Sequence, residues 1–123
     1  MAYEELSALT SQVIGAAIEV HKTLGPGFTE HIYARALQHE LRKRKVPFVT
    51  EQGIRIKYKD EPLGLHRLDL VVGDKVVVEL KAVYAVNRFH IAQVLSYLKA
   101  SGKRLGLIVN FAKSRVEVRR VAL

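Results

Sequence analysis

A chain of 123 residues with 20 lysines and arginines against 12 acids carries a formal charge of +8 and no cysteine. That excludes disulfide staples, thiolate nucleophiles and cysteine zinc sites, and the excess of positive charge favours a polyanionic partner, nucleic acid foremost. Nowhere do roughly 18 apolar residues run together as a membrane helix requires, and MAYEELSALTSQV lacks the basic-then-apolar order of a secretory signal. The expectation is a soluble, cytoplasmic protein with no membrane contact, folded as a single domain over 1–123. A chain of this length buries roughly 65% of its unfolded surface, enough for a core without cross-links.

Leu9, Val13, Ala16, Ala17, Val20 and Leu24 recur at steps of three and four, which predicts an amphipathic helix over LTSQVIGAAIEVHKTLG. Thr10 or Ser11 is the expected cap, and Gly25-Pro26-Gly27 the stop. A second helix is expected after Thr29, with Ile32, Tyr33, Ala36, Leu37 and Leu41 as its apolar stripe and RKRK at its cationic end. After Pro47 the period changes to two. Ile54, Ile56 and Tyr58 alternate with Arg55, Lys57 and Lys59, a strand with one wet, basic face. Asp60-Glu61-Pro62 is read as a turn into LHRLDLVV, and VVVELK follows. Helical spacing returns at 88–100, with Phe89, Ala92, Leu95, Tyr97 and Leu98 as the apolar members. RLGLIVNF reads as a central strand covered on both faces, and VEVRRVAL as an edge strand. The predicted order is α-α-β-β-β-β-α-β-β, a mixed α/β domain.

The informative stretch is DLVVGDKVVVELKA. A three-residue loop, Gly73-Asp74-Lys75, sets Val72 opposite Val76, Leu70 opposite Val78 and Leu68 opposite Leu80, one apolar face. On the other face it pairs Val71 with Val77 and Asp69 with Glu79, with Lys81 two residues on. A two-residue loop would scatter the apolar pairs, so the hydrophobic pattern selects the register that brings the acids together. Like charges directly opposite are destabilising. The pair could share a proton, lean on Lys81 or hold a divalent cation; the plain alternative is an ion pair of Glu79 with Lys81 or Asp69 with Arg67. Mg²⁺ suits two carboxylates plus water and phosphate oxygens, and the Leu80 carbonyl is a further oxygen ligand. Lys81 would then stand where it can stabilise a hydroxide.

Asp69, nine residues, then Glu79-Leu80-Lys81 resembles the PD-(D/E)XK nuclease superfamily. Gly27-Phe28-Thr29-Glu30-His31-Ile32-Tyr33 is similar to the signature of one of its small families, the GxxExxY proteins. The likeness runs from about Leu9 to the C-terminus and includes IGAAIEVHKTLGPGF, RLDLVV, VVVELKAV, AQVLSYLKASG and GLIVNF. Leu68 stands where the superfamily's name has proline, which removes no ligand.

The resemblance implies a restriction-endonuclease-like core, a central mixed sheet flanked by helices, and Mg²⁺- or Mn²⁺-dependent cleavage of nucleic acid; DNA is expected ahead of RNA, a choice the motifs leave open. It makes Asp69, Glu79 and Glu30 metal ligands beside the Leu80 carbonyl, Lys81 the catalytic lysine, and Gln93, four before Tyr97, a residue that orients water or substrate. Glu30 could instead only favour a helix N-terminus, and Gln93 could be a surface amide. Tyr33 and Tyr97 are expected to pack with satisfied hydroxyls, and His90 to be structural or solvent-facing. Arg55, Lys57, Lys59, Lys99, Lys103 and Arg104 are candidates to track the nucleic-acid backbone. The rival reading is a nucleic-acid-binding or regulatory domain with little cleavage. A homodimer or a protein partner would enlarge a groove this small chain can only partly supply.

Overall fold

In the computed structural model, which describes residues 3–123, the chain runs α1 (Tyr3–Leu24), α2 (Glu30–Lys43), β1 (Phe48–Tyr58), β2 (Glu61–Val72), β3 (Val76–Lys81), α3 (Arg88–Ser101), β4 (Leu105–Asn110) and β5 (Glu117–Ala122). The strands form one sheet in the order β1-β2-β3-β4-β5. β3 and β4 are parallel and every other neighbour is antiparallel, so the sheet is mixed. A parallel pair needs a long crossover, and α3 is that crossover. Three strands precede α3, not the four expected. β1 and β2 make one long hairpin that turns at Lys59 and Asp60, both left-handed, and β2 already starts at Glu61.

Two apolar layers sandwich the sheet. Val13, Ala16, Val20, Leu37 and Leu41 of α1 and α2 pack on Leu70, Val72, Val76, Val78, Leu80, Leu107 and Val109. Val94 and Leu98 of α3 pack on the opposite face, over Val71, Val77, Ile108 and Val121. Covered on both sides, β4 is buried at every residue, as its unbroken apolar run predicts. β5 is an edge strand, also as expected.

Two helix readings need correction. α1 begins at Tyr3, so Thr10 lies within it and bonds the Ser7 carbonyl at 3.0 Å instead of capping. Glu4 and Glu5 fill its first turn, where acids complement the helix dipole, and Leu6 and Leu9 extend the apolar stripe to that end. In α3 Leu95, Tyr97 and Leu98 pack toward the sheet as expected, joined by Ile91 and Val94, whereas Phe89 is 66% exposed and Ala92 is exposed. Asn87 and His90 close a reciprocal capping box there, giving His90 a structural task. Among the described residues no helix is long and apolar enough to cross a membrane.

Candidate active site

The β2–β3 hairpin has the anticipated register: Val72 faces Val76, Val71 faces Val77 and Leu70 faces Val78. Gly73, at φ 59°, opens the loop, and a side chain on it would meet Leu9 of α1 at 2.7 Å. Beyond Leu70 the backbone ladder stops, and the carboxylates take its place. Asp69 Oδ2 accepts from the Leu80 amide at 2.9 Å, and Glu79 Oε1 accepts from the Asp69 amide at 3.4 Å. Each acid thus satisfies a backbone donor left by the splayed strands and keeps its other oxygen for a further partner.

The strands splay because the alternation slips at Asp69. Leu68 packs in the α3 layer, while Leu70 and Leu80 pack against α1 and α2. The expected Leu68–Leu80 pair therefore does not form. On the neighbouring strand Glu51 has φ 56° and no ladder partner, between the pairs Thr50–Leu70 and Gln52–Leu68. Such an irregularity re-aims side chains at a sheet rim.

Burial pushes the Glu79 carboxyl up to about 7, and the charge of Asp69 adds to the shift; the Asp69 amide and Lys81 oppose it. Asp69 is raised as well, first by burial and then by Glu30 and Glu51, against the Leu80 amide and Lys81. Neither alternative ion pair, Glu79 with Lys81 or Asp69 with Arg67, occurs among the described residues. The acids are held together without a neutralising contact, at a site where a cation would replace a proton.

Glu30 is the first, exposed residue of α2. Its charge reaches both acids, yet among the described residues no three acidic, histidine or cysteine side chains close into a metal-holding cluster. Tyr33 explains how Glu30 is placed. Fully buried and stacked on Phe111 with centroids 4.4 Å apart, it donates its hydroxyl to the Gly25 carbonyl and accepts from the Phe28 amide at 3.2 Å. The turn before Glu30, with Gly27 at φ 116°, is tied to the core by this one side chain.

On the other side, half-buried Tyr97 of α3 stacks on His66 at 4.0 Å. Its hydroxyl pKa is raised by burial and by the charges of Glu79 and Asp69. Gln93, half-buried one turn earlier, shares that helical face. Lys81 is half-buried, and its carbonyl accepts from the Phe111 amide at 2.9 Å on the β4 side. Because peptide groups alternate along a strand, the Leu80 carbonyl is directed like its amide toward the splayed β2 side. Two carboxylates, a carbonyl and room for water form an oxygen donor set that fits Mg²⁺ or Mn²⁺.

The basic candidates divide. Arg55 and Lys57 are exposed on the β1–β2 arm beyond the splayed end, with Lys59 at its tip, and Lys99 is exposed on α3. Lys103 and Arg104 lie at the opposite end of the sheet, beside the hairpin loop, where Lys103 Nζ bonds Asp74 Oδ1 at 3.2 Å and its carbonyl at 2.9 Å. They are not brought to the acids. Three features escaped the sequence reading. Glu51 stands beside Asp69, on a strand whose alternation suggests nothing unusual. Asn110, fully buried at the end of β4, accepts from the Val83 and Ala112 amides and donates to the Val83 carbonyl and Glu117, pinning the chain just after Lys81. Finally, a groove of about 360 Å³ runs along α2 to Asp69, lined by helix residues that include Arg35, His39 and Arg42. Their three- and four-residue spacing was the available signal.

The solved structures that resemble the chain include the following two. The crystal structure of SSO0001 matches with a TM-score of 0.60 and 18% identity, over 75% of this chain and 48% of that one. The alkaline exonuclease LHK-Exo from Laribacter hongkongensis matches with a TM-score of 0.44 and 12% identity, over 75% of this chain and 54% of that one. The chain thus spans about half the length of each, and the first likeness speaks for the fold alone. No curated protein matches the sequence significantly. The family profile described as the PD-(D/E)XK nuclease superfamily matches residues 7–121. With that match over nearly its whole length, the chain belongs to the PD-(D/E)XK nuclease superfamily.

Proposed function

We propose that this protein is a metal-dependent nuclease of the GxxExxY type that hydrolyses phosphodiester bonds, DNA in preference to RNA. The observation that carries the reading is the pair of un-neutralised carboxylates, buried Glu79 and half-buried Asp69, bound to each other's strand at the splayed end of the hairpin. When bound there, a divalent ion would supply Lewis acidity that makes water more acidic and offsets negative charge on the phosphate. Asp69, Glu79 and the Leu80 carbonyl would hold the ion, and Glu30 would add negative potential from the start of α2. Lys81 stabilises the attacking hydroxide, and Gln93 orients water or substrate from α3.

Calorimetry with Mg²⁺ and Mn²⁺ on wild type and Asp69→Ala/Glu79→Ala, followed by labelled DNA and RNA with and without metal, tests this. Binding and cleavage that both vanish in the variant bear it out; absence of metal binding in the wild type sinks it. A second reading, a nucleic-acid-binding domain without cleavage, draws on one observation: Glu30 does not complete a ligand cluster with the two acids. Nucleic-acid binding with no hydrolysis of any substrate, at any metal concentration, is its signature.

A further inference from the structure

The α2 groove gives this reading a substrate path. His31, Arg35, Gln38, His39 and Arg42 line it from the helix, and Asp69 lies in its opposite wall. These residues occupy one side of α2, turned away from the buried stripe of Tyr33, Leu37 and Leu41. From His31 to Arg42 the helix rises about 16 Å at its usual pitch. That spans about four to five phosphates of one stacked strand.

Like most basic side chains of the surface, the groove's two arginines form no ion pair among the described residues; what sets them apart is their place in the groove that reaches Asp69. Arg44, just past the end of α2, is bound to Glu40 at 2.9 Å, and Lys103 to Asp74 at 3.2 Å. Arg42 rests over the Phe48 ring at 5.4 Å. The acids in the groove, Glu51 and Asp69, gather in the wall facing the helix. A polyanion lying along α2 therefore meets unpaired guanidinium groups first and the acid pair last.

We infer that the α2 groove is a sequence-independent track for the nucleic-acid backbone, in which Arg35 and Arg42 contact phosphates and deliver the strand to Asp69 and Glu79. The inference rests on the nuclease reading for its substrate class, yet it can fail separately. Contacts of this kind position a strand without reading bases, and each phosphate neutralised adds about 0.7–0.9 to the salt slope.

The test measures anisotropy of a fluorescein-labelled mixed-sequence 25-nucleotide DNA, single-stranded and as a duplex, against NaCl in EDTA, where metal-dependent cleavage is silent. Arg35→Ala/Arg42→Ala is expected to weaken binding at least tenfold and to lower the log–log salt slope by about 1.4–1.8. Lys103→Ala/Arg104→Ala should stay within twofold of wild type. Equal losses in both variants, or no loss in the first, overturn the track. Amide chemical shifts of the wild type, titrated with the same DNA, give a readout free of any folding defect in the variants. Perturbation centred on residues 31–42 and 50–51 supports the track, and perturbation confined to 53–67 or 99–104 overturns it. If α2 binds but nothing is cleaved with metal, the nuclease reading fails and the track stands. If cleavage proceeds while Arg35→Ala/Arg42→Ala binds normally, the track fails and the nuclease reading stands.

Discussion

Asp69 and Glu79 brace the two strands that carry them: the Asp69 amide donates to Glu79 Oε1 at 3.4 Å, and the Leu80 amide donates to Asp69 Oδ2 at 2.9 Å. Two carboxylates thereby do the work of a missing ladder rung. The arrangement keeps two carboxylates adjacent where burial and their mutual repulsion both disfavour the charged forms, a cost to stability.

That cost has a definite pH dependence. The Glu79 carboxyl rises from about 4.5 to about 7 on folding, so the protonated folded form is favoured. Its contribution is fully present below pH 4.5 and is lost as pH climbs through 7. Glu79→Gln, which keeps the acceptor for the Asp69 amide, should therefore match wild type near pH 4 and exceed it at pH 8 by as much as about 3 kcal/mol without metal. Urea denaturation at both pH values checks this. A variant no more stable at pH 8 than wild type would remove the assigned strain.

On the proposed reading, metal and proton would compete for the same pair. Mg²⁺ or Mn²⁺ should raise the melting temperature of the wild type at pH 8, do so much less at pH 5.5, and leave Asp69→Ala/Glu79→Ala unmoved. Thermal melts over a metal titration at the two pH values decide it.

Lys81→Ala should slow cleavage by about 10²–10⁴-fold while leaving DNA affinity within a few-fold. Lys81 opposes the upward shifts of both acids, so its loss should also raise their proton affinity and move the pH–rate profile upward. A variant that loses affinity and keeps its turnover would make Lys81 a binding residue instead.

Tyr33→Phe retains the stacking on Phe111 and deletes only the hydroxyl that joins the Gly25 carbonyl to the Phe28 amide. The expected loss is about 1–3 kcal/mol of stability. Cleavage should fall too, because the turn that positions Glu30 loosens. Calorimetric melting and kcat/KM, measured together, separate the two effects: unaltered kcat/KM would confine Tyr33 to stability.

Asn110→Leu replaces an amide that makes four hydrogen bonds at the exit of the Lys81 strand. Stranding the Val83 amide and carbonyl should cost on the order of 3 kcal/mol and displace Lys81. Chemical denaturation gives the first effect and single-turnover cleavage the second. Wild-type stability would show that the loop finds its partners elsewhere.

The sequence by itself determined the first three pairs of the hairpin, because a three-residue loop between the two apolar runs sets each branched residue opposite another. It likewise determined the buried character of β4, whose unbroken apolar run suits no exposed strand. Tertiary structure decided what lies at the rim. The slip at Asp69 lies opposite Glu51 of another strand, whose left-handed backbone no local pattern announces. The start of α1 at Tyr3 depends on Leu6 and Leu9 finding the core, and the exposure of Phe89 on where the sheet ends beneath α3. The basic side of α2 became a groove only when β1 and β2 supplied its other wall. Apolar periodicity is a local signal that burial enforces; grooves, bulges and unpaired charges arise between elements distant in the chain, and only packing brings those together.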